Sequence, residues 1–178
     1  MRWGGILGGV ATKRDTSRNG RSAWLTPEQQ RAWVAFMRVQ LRMDYEMNRQ
    51  LQADSGLSLS DYHVLVALSG ASEDGMRVGD LAAHIGWERS RVSHQLRRME
   101  QRGLTRRETG TEDARTTNVV LTAQGRAAIE EAAPAHVDLV RRLFFDALPA
   151  PLLTSFTTAL EHIHVNLNLN SSLPPSPP

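Results

Sequence analysis

The sequence predicts a mainly α-helical fold with one small β-hairpin, and three observations carry that expectation. Apolar residues recur at three- and four-residue steps along most of the chain. Alternation of the β type is confined to one pair of short segments, separated by a turn-rich loop. The length of 178 residues, 40% apolar, suits one domain, or one domain plus an oligomerisation arm.

Residues 1–22 are rich in Gly, Arg, Ser and Thr and lack periodicity, so a disordered N-terminal extension is expected there. Thr26-Pro27-Glu28-Gln29 starts a helix: Thr26 caps, Pro27 takes the first helical position, and Gln29 completes a capping box. Apolar residues then recur at Trp33, Phe36, Met37, Leu41, Met47 and Leu51, a stripe that runs to about Ala53. A second helix is expected from Ser60, over Asp61 to Ser69, with Tyr62, Leu65 and Leu68 on its inner face. Glu73-Asp74-Gly75 is a turn. Val78, Leu81, Ala82 and Ile85 mark a short third helix, broken by Gly86. A fourth starts near Glu88 and stops at Gly103.

Leu104 to Thr109 and Thr116 to Leu121 form the strand pair, with residues 110–115 as its loop. Thr122 caps a long helix expected through Ala147, with a bend at Pro134. A final helix over about 151–167 shows Leu153, Phe156, Leu160 and Ile163 on one side. Residues 169–178 read as a flexible, Pro-rich tail. Short helix, tight turn, helix and hairpin, in that order, make a winged helix-turn-helix.

Composition narrows the chemistry. The formal net charge of +2 excludes a protein that coats DNA by bulk charge. Lys13 is the one lysine, so the high isoelectric point reflects arginine usage more than excess base. The charge is unevenly placed, however. Arg89 to Arg107 holds seven arginines and one acid, Glu100, a segment charge of +6. The rest of the chain carries 14 basic and 18 acidic residues. No cysteine is present, which excludes disulfides, thiol catalysis and thiol redox sensing, and fits a cytoplasmic protein. The longest N-terminal apolar stretch, Trp3 to Ala11, is too short to span a bilayer, so no membrane association is expected.

The fourth helix carries the functional signal. With Val92, Leu96 and Met99 as its core stripe, the opposite face collects Ser90, His94, Arg97 and Gln101, flanked by Ser93 and Arg98. No acid stands on that face. Small hydroxyls allow close approach to a groove floor, and Arg97 and Arg98 suit phosphate or guanine contacts. On the hairpin, Arg106 and Arg107 lie on the first strand, and Asp113 and Arg115 at the tip. An arginine at a hairpin tip can enter a minor groove, and Asp113 can hold Arg115 by a charge-assisted hydrogen bond. These residues are the candidate contacts to double-stranded DNA.

Three stretches resemble the MarR family of bacterial transcriptional regulators: LSLSDYHVLVALS, LAAHIGWERSRVSHQLRRMEQRGLTRR and TEDARTTNVVLTAQG. The last is the most specific, its pattern met by Asp113, Arg115, Leu121, Thr122 and Gly125. The resemblance covers about Thr26 to Asn168. It implies a homodimer joined by residues 26–53 and 122–168, with a DNA-binding domain at 57–121 reading a pseudo-palindrome. It also implies a repressor released by a small, often phenolic, ligand. Glu88 stands where many members carry a Ser or Thr cap, which weakens capping, and His94 stands where an Arg is common. The cysteines of the peroxide-sensing branch are absent. His63 and Gln95 replace the Asp and Arg expected of the urate-responsive branch, so urate is not an expected ligand.

Trp33, Phe36, Tyr62 and His63 lie on helices that, by the resemblance, border the cleft between dimer arm and DNA-binding lobe. They are the candidate ligand-binding residues for a small aromatic effector, with ordinary helix packing as the competing explanation. Histidines 84, 94, 136, 162 and 164 are not spaced as a metal site, and neither a metal nor another cofactor is expected. No P-loop, dinucleotide fingerprint or nucleophile elbow is present, and an enzyme is not expected. The alternative is a winged-helix module that binds protein without specific DNA binding; it leaves the acid-free face of the fourth helix without a purpose.

Overall fold

The computed structural model describes residues 24–109 and 117–175. The expected N-terminal extension and the hairpin-tip residues Asp113 and Arg115 lie outside the described residues. The elements are α1 (Pro27–Ser55), α2 (Leu59–Ser69), β1 (Met76–Arg77), α3 (Val78–Ile85), α4 (Arg89–Gln101), β2 (Thr105–Thr109), β3 (Thr117–Leu121), α5 (Ala123–Val140) and α6 (Leu153–Asn170). A π-helical turn, Arg141–Phe145, extends α5, and a 3-10 turn, Ala150–Leu152, leads into α6. The chain divides into two units, one ending at Glu46 and the other beginning at Met47.

The first unit is the N-terminal part of α1. Its start forms as expected: the Gln29 amide donates to the Thr26 hydroxyl, and the Thr26 amide to the Gln29 side chain, at 3.2 and 3.0 Å. Trp33, Phe36, Val39, Leu41 and Tyr45 remain exposed along it.

The second unit holds the core. Leu51, Leu57, Val64, Leu65, Leu81, Val92, Leu96, Met99 and Val119 are fully buried in one cluster. They come from the end of α1, the connection that follows it (Leu57), the three helices α2–α4 and the sheet. Burying each such side chain stabilises by roughly 1.5–3 kcal/mol, so this cluster sets the relative positions of the helix-turn-helix and the hairpin. Helix α2 begins at Leu59, slightly earlier than the sequence suggests. Its cap is Ser58, not Ser60, in a reciprocal box with Asp61. Ser58 wins because Asp61 stands at the third helical position, where its carboxylate can reach back to the Ser58 amide.

The sheet has three strands in the order β1-β3-β2, all antiparallel. Strand β1 is not among the expected elements: two residues cannot display alternation, and Met76 and Arg77 qualify only by pairing with Val119 and Asn118. Helix α5 is capped by the Thr122 hydroxyl, which accepts from the Gly125 amide at 2.9 Å. Gly125 is required there, because a Cβ would stand 2.0 Å from the Leu104 carbonyl oxygen. The helix runs on through Pro134. It yields to the π turn at Arg141, short of the expected end at Ala147, and the two C-terminal helical segments meet at 95°. No single helix among the described residues is long and apolar enough to cross a membrane.

Candidate nucleic-acid interface

The helix-turn-helix is α3 and α4. Gly86 closes α3 in the left-handed region, φ 67°, which costs glycine no Cβ clash, and the Trp87 amide then donates to the Ala82 carbonyl at 2.9 Å. By Arg89, α4 is under way. Its N-cap, Glu88, has extended geometry but makes no side-chain capping bond, as the missing Ser or Thr implied.

Helix α4 buries Val92, Gln95, Leu96 and Met99 and presents Ser90, His94, Arg97, Arg98 and Gln101 toward solvent, with Ser93 at its flank. The expected face therefore exists, with one addition on the inner side. Gln95 donates to the Asp61 carboxylate on α2 at 2.6 Å. Arg102, just past the helix, donates to the other oxygen of the same carboxylate at 2.8 Å and to the Gly56 carbonyl at 2.9 Å. Asp61 is 2% exposed, so the middle and the C-terminal end of the reading helix are both tied to a buried anion at the start of α2. Charge-assisted bonds of this kind are about twice as strong as neutral ones.

Ion pairing separates the seven arginines of the basic segment. Arg102 is held by Asp61, Arg106 by Glu108 at 2.6 Å, and Arg107 by Glu100 at 2.9 Å. Arg106 and Arg107 are both exposed on edge strand β2, but each already has a carboxylate partner. Arg89, Arg91, Arg97 and Arg98 have no carboxylate partner among the described residues, and all four are exposed. Arg91 instead stacks on the indole of Trp87, its guanidinium carbon 3.8 Å from the ring centroid. Neither Arg91 nor Arg89 is among the residues that the sequence singles out. A Trp and an Arg four residues apart across a helix start is the signal that points to Arg91.

The four aromatic candidates divide between the two units. Trp33 and Phe36 form a ring pair on α1, centroids 5.7 Å apart, both about half exposed. On α2, Tyr62 is buried against the His136 ring of α5 at 4.2 Å, whereas exposed His63 meets Trp87 edge-on at 6.2 Å. Burial raises the Tyr62 phenol above its ordinary pKa. Burial, and secondarily the nearby His63, lowers that of His136, whose Nδ1 has no hydrogen-bond partner among the described residues. Among the described residues no three His, Asp or Glu side chains are grouped to hold a metal.

A helix-turn-helix whose second helix turns an acid-free face to solvent, followed by an antiparallel wing, defines the winged-helix class of DNA-binding proteins. The model of the MarR family matches residues 57–117. The MarR family transcriptional regulator AbsC from Streptomyces coelicolor is 39% identical, with 83% of this chain and 99% of that one covered and a TM-score of 0.77. Sco3205, a MarR family regulator from the same organism solved in complex with DNA, is 32% identical over 85% of this chain and 99% of its own, at a TM-score of 0.79. MosR of M. tuberculosis, also in complex with DNA, is 27% identical over 76% and 96%, at 0.59. No curated protein matches the chain. The chain belongs to the MarR family and is a DNA-binding transcriptional regulator.

Proposed function

We propose that the protein is a ligand-responsive repressor that binds a pseudo-palindromic operator as a homodimer. The observation that carries the reading is the outer face of α4, where Arg97 and Arg98 are solvent-facing beside Ser90 and His94 and are free of carboxylates among the described residues. In this reading α4 enters the major groove, with Ser90 and His94 near base edges, the small Ser93 on the flank allowing close approach of the helix, and Arg97 and Arg98 on guanine or phosphate. Arg106 and Arg107 contact the backbone only by leaving Glu108 and Glu100. Arg115, steadied by Asp113, reads the minor groove.

The exposed apolar residues of α1 and α6 support the dimer, since a second copy would remove them from water. Two lobes then address half-sites about one helical turn, 10–11 base pairs, apart. For a small aromatic effector the candidate residues are Trp33, Phe36, Tyr62 and His63, of which Trp33, Phe36 and His63 expose their rings while Tyr62 is packed against His136.

Selection from a random duplex pool, followed by footprinting, tests the DNA reading. Enrichment of a two-fold sequence is expected, and protection of one isolated half-site would contradict it. Arg97→Ala and Arg98→Ala should weaken binding, and for every phosphate no longer neutralised the salt slope should flatten by about 0.9. A thermal-shift screen with aromatic acids tests the effector; hits whose affinity is unchanged in both Trp33→Ala and His63→Ala rule out these residues as its contacts.

A further inference from the structure

We infer that Arg91 is a phosphate-contacting residue of the DNA interface and that Trp87 is the residue that positions it. The inference rests on the DNA-binding reading of α4 and adds to it two residues outside its reading face.

Arg91 lies on the flank of α4, toward the same side as Arg98 and about 10 Å nearer the start of the helix. Ordinarily an exposed arginine at a helix start samples many rotamers, and ordering it against DNA costs entropy. Here the guanidinium already lies over the Trp87 indole, 3.8 Å from the ring centroid. Stacking engages the face of a guanidinium and leaves its N–H edge free, so the five donors remain available to a phosphate. No carboxylate competes for them among the described residues. Trp87 is itself fixed. Its amide is bonded to Ala82, its ring packs partly buried against the lobe's core, and His63 meets it edge-on.

The position of Arg91 favours phosphate over a base. Ser90, His94 and Gln101 occupy the centre of the exposed face, and Arg91 lies some 80° to one side of it. A residue so placed meets the rim of a major groove about 12 Å wide, which is backbone. Removing a phosphate interaction weakens binding to every duplex alike, whereas removing a base interaction relaxes specificity.

The test uses the full-length protein, a duplex that the wild type selects from a random pool, and an unselected duplex of equal length. Affinities are measured across a series of KCl concentrations. Arg91→Ala should weaken both duplexes by a similar factor, about tenfold for each protomer engaged, and flatten the salt slope by about 0.9 per protomer. Arg91→Lys keeps the charge but not the planar stack, and should recover the slope while recovering only part of the affinity. Trp87→Phe should retain most of the affinity and Trp87→Leu should lose it, with the salt slope falling toward that of Arg91→Ala. If Arg91→Ala leaves affinity and slope at wild-type values, the phosphate assignment is overturned. A weakening confined to the selected duplex overturns it in favour of a base. Full affinity in Arg91→Lys overturns the positioning role of Trp87 without depending on how well a Trp87 variant folds. A wild type that enriches no duplex from the random pool overturns the reading of α4 as the DNA-contacting helix, a result distinguishable from all of these.

Discussion

Asp61 is 2% exposed, yet its two carboxylate oxygens receive the Ser58 amide and hydroxyl, the Gln95 amide group and the Arg102 guanidinium. Removing a buried anion that satisfies this many donors leaves them unpaired. Asp61→Ala should therefore cost about 3 kcal/mol in urea denaturation, and Asp61→Asn, which keeps one acceptor, clearly less. A change below about 1 kcal/mol for Asp61→Ala would show that the network is not what holds α4 to α2. His136 sets a pH dependence. Burial favours its neutral form and lowers its folded pKa below the ordinary 6.5. As pH falls below 6.5 the unfolded chain takes up the proton first, so stability declines until the folded pKa is passed, and well above 6.5 the group contributes no slope. His136→Phe, which keeps a ring against Tyr62, should lose less stability than wild type between about pH 7.5 and about 5.5. Equal losses would place the acid sensitivity elsewhere.

Helix termini show both agreement and difference between expected and observed elements. Thr26 and Thr122 cap as their sequence contexts imply, and Ser58 displaces Ser60 because the reciprocal partner stands three residues on. At α4 the side-chain cap is missing: Glu88 contributes charge near the positive end of the helix dipole but no bond to the first amides. Glu88→Ser should raise stability by about 0.5–1 kcal/mol, measured as an upward shift of the thermal midpoint. No gain would mean that the first turn of α4 is limited by something other than its cap. Strand β1 and the π turn at Arg141 are illegible in the sequence for a different reason. A two-residue strand exists only through its partner, and a π turn differs from an α turn by one hydrogen-bond step that no residue type encodes.

At the scale of the molecule, the described residues leave apolar surface exposed on α1 and on α6. From His162 to Asn170 polar and apolar residues alternate strictly, and a helix spreads such a pattern around both of its sides. Ile163, Val165, Leu167 and Leu169 are each more than half exposed as a result. A helix of this kind needs cover on more than one face, which a second copy of the chain can supply. Ile163→Glu combined with Leu167→Glu should convert a dimer into a monomer in sedimentation equilibrium and abolish cooperative occupation of paired half-sites. An unaltered mass for the double variant would exclude this stretch from the dimer interface.

The helix-turn-helix, the hairpin and the acid-free face of α4 are legible in the residues alone, since each is written in spacings between near neighbours along the chain. The sequence also shows where the basic charge lies. Which of those arginines are free was decided only by the tertiary structure. Arg102 is neutralised by a carboxylate 41 positions earlier, Arg106 by Glu108 two residues on along β2, Arg107 by Glu100 on the preceding helix, and Arg91 is set on a tryptophan of the turn before α4. Local periodicity reports which way a side chain faces. Whether its charge is already paired depends on what the folded chain brings within about 4 Å of it, which spacing along the chain does not record.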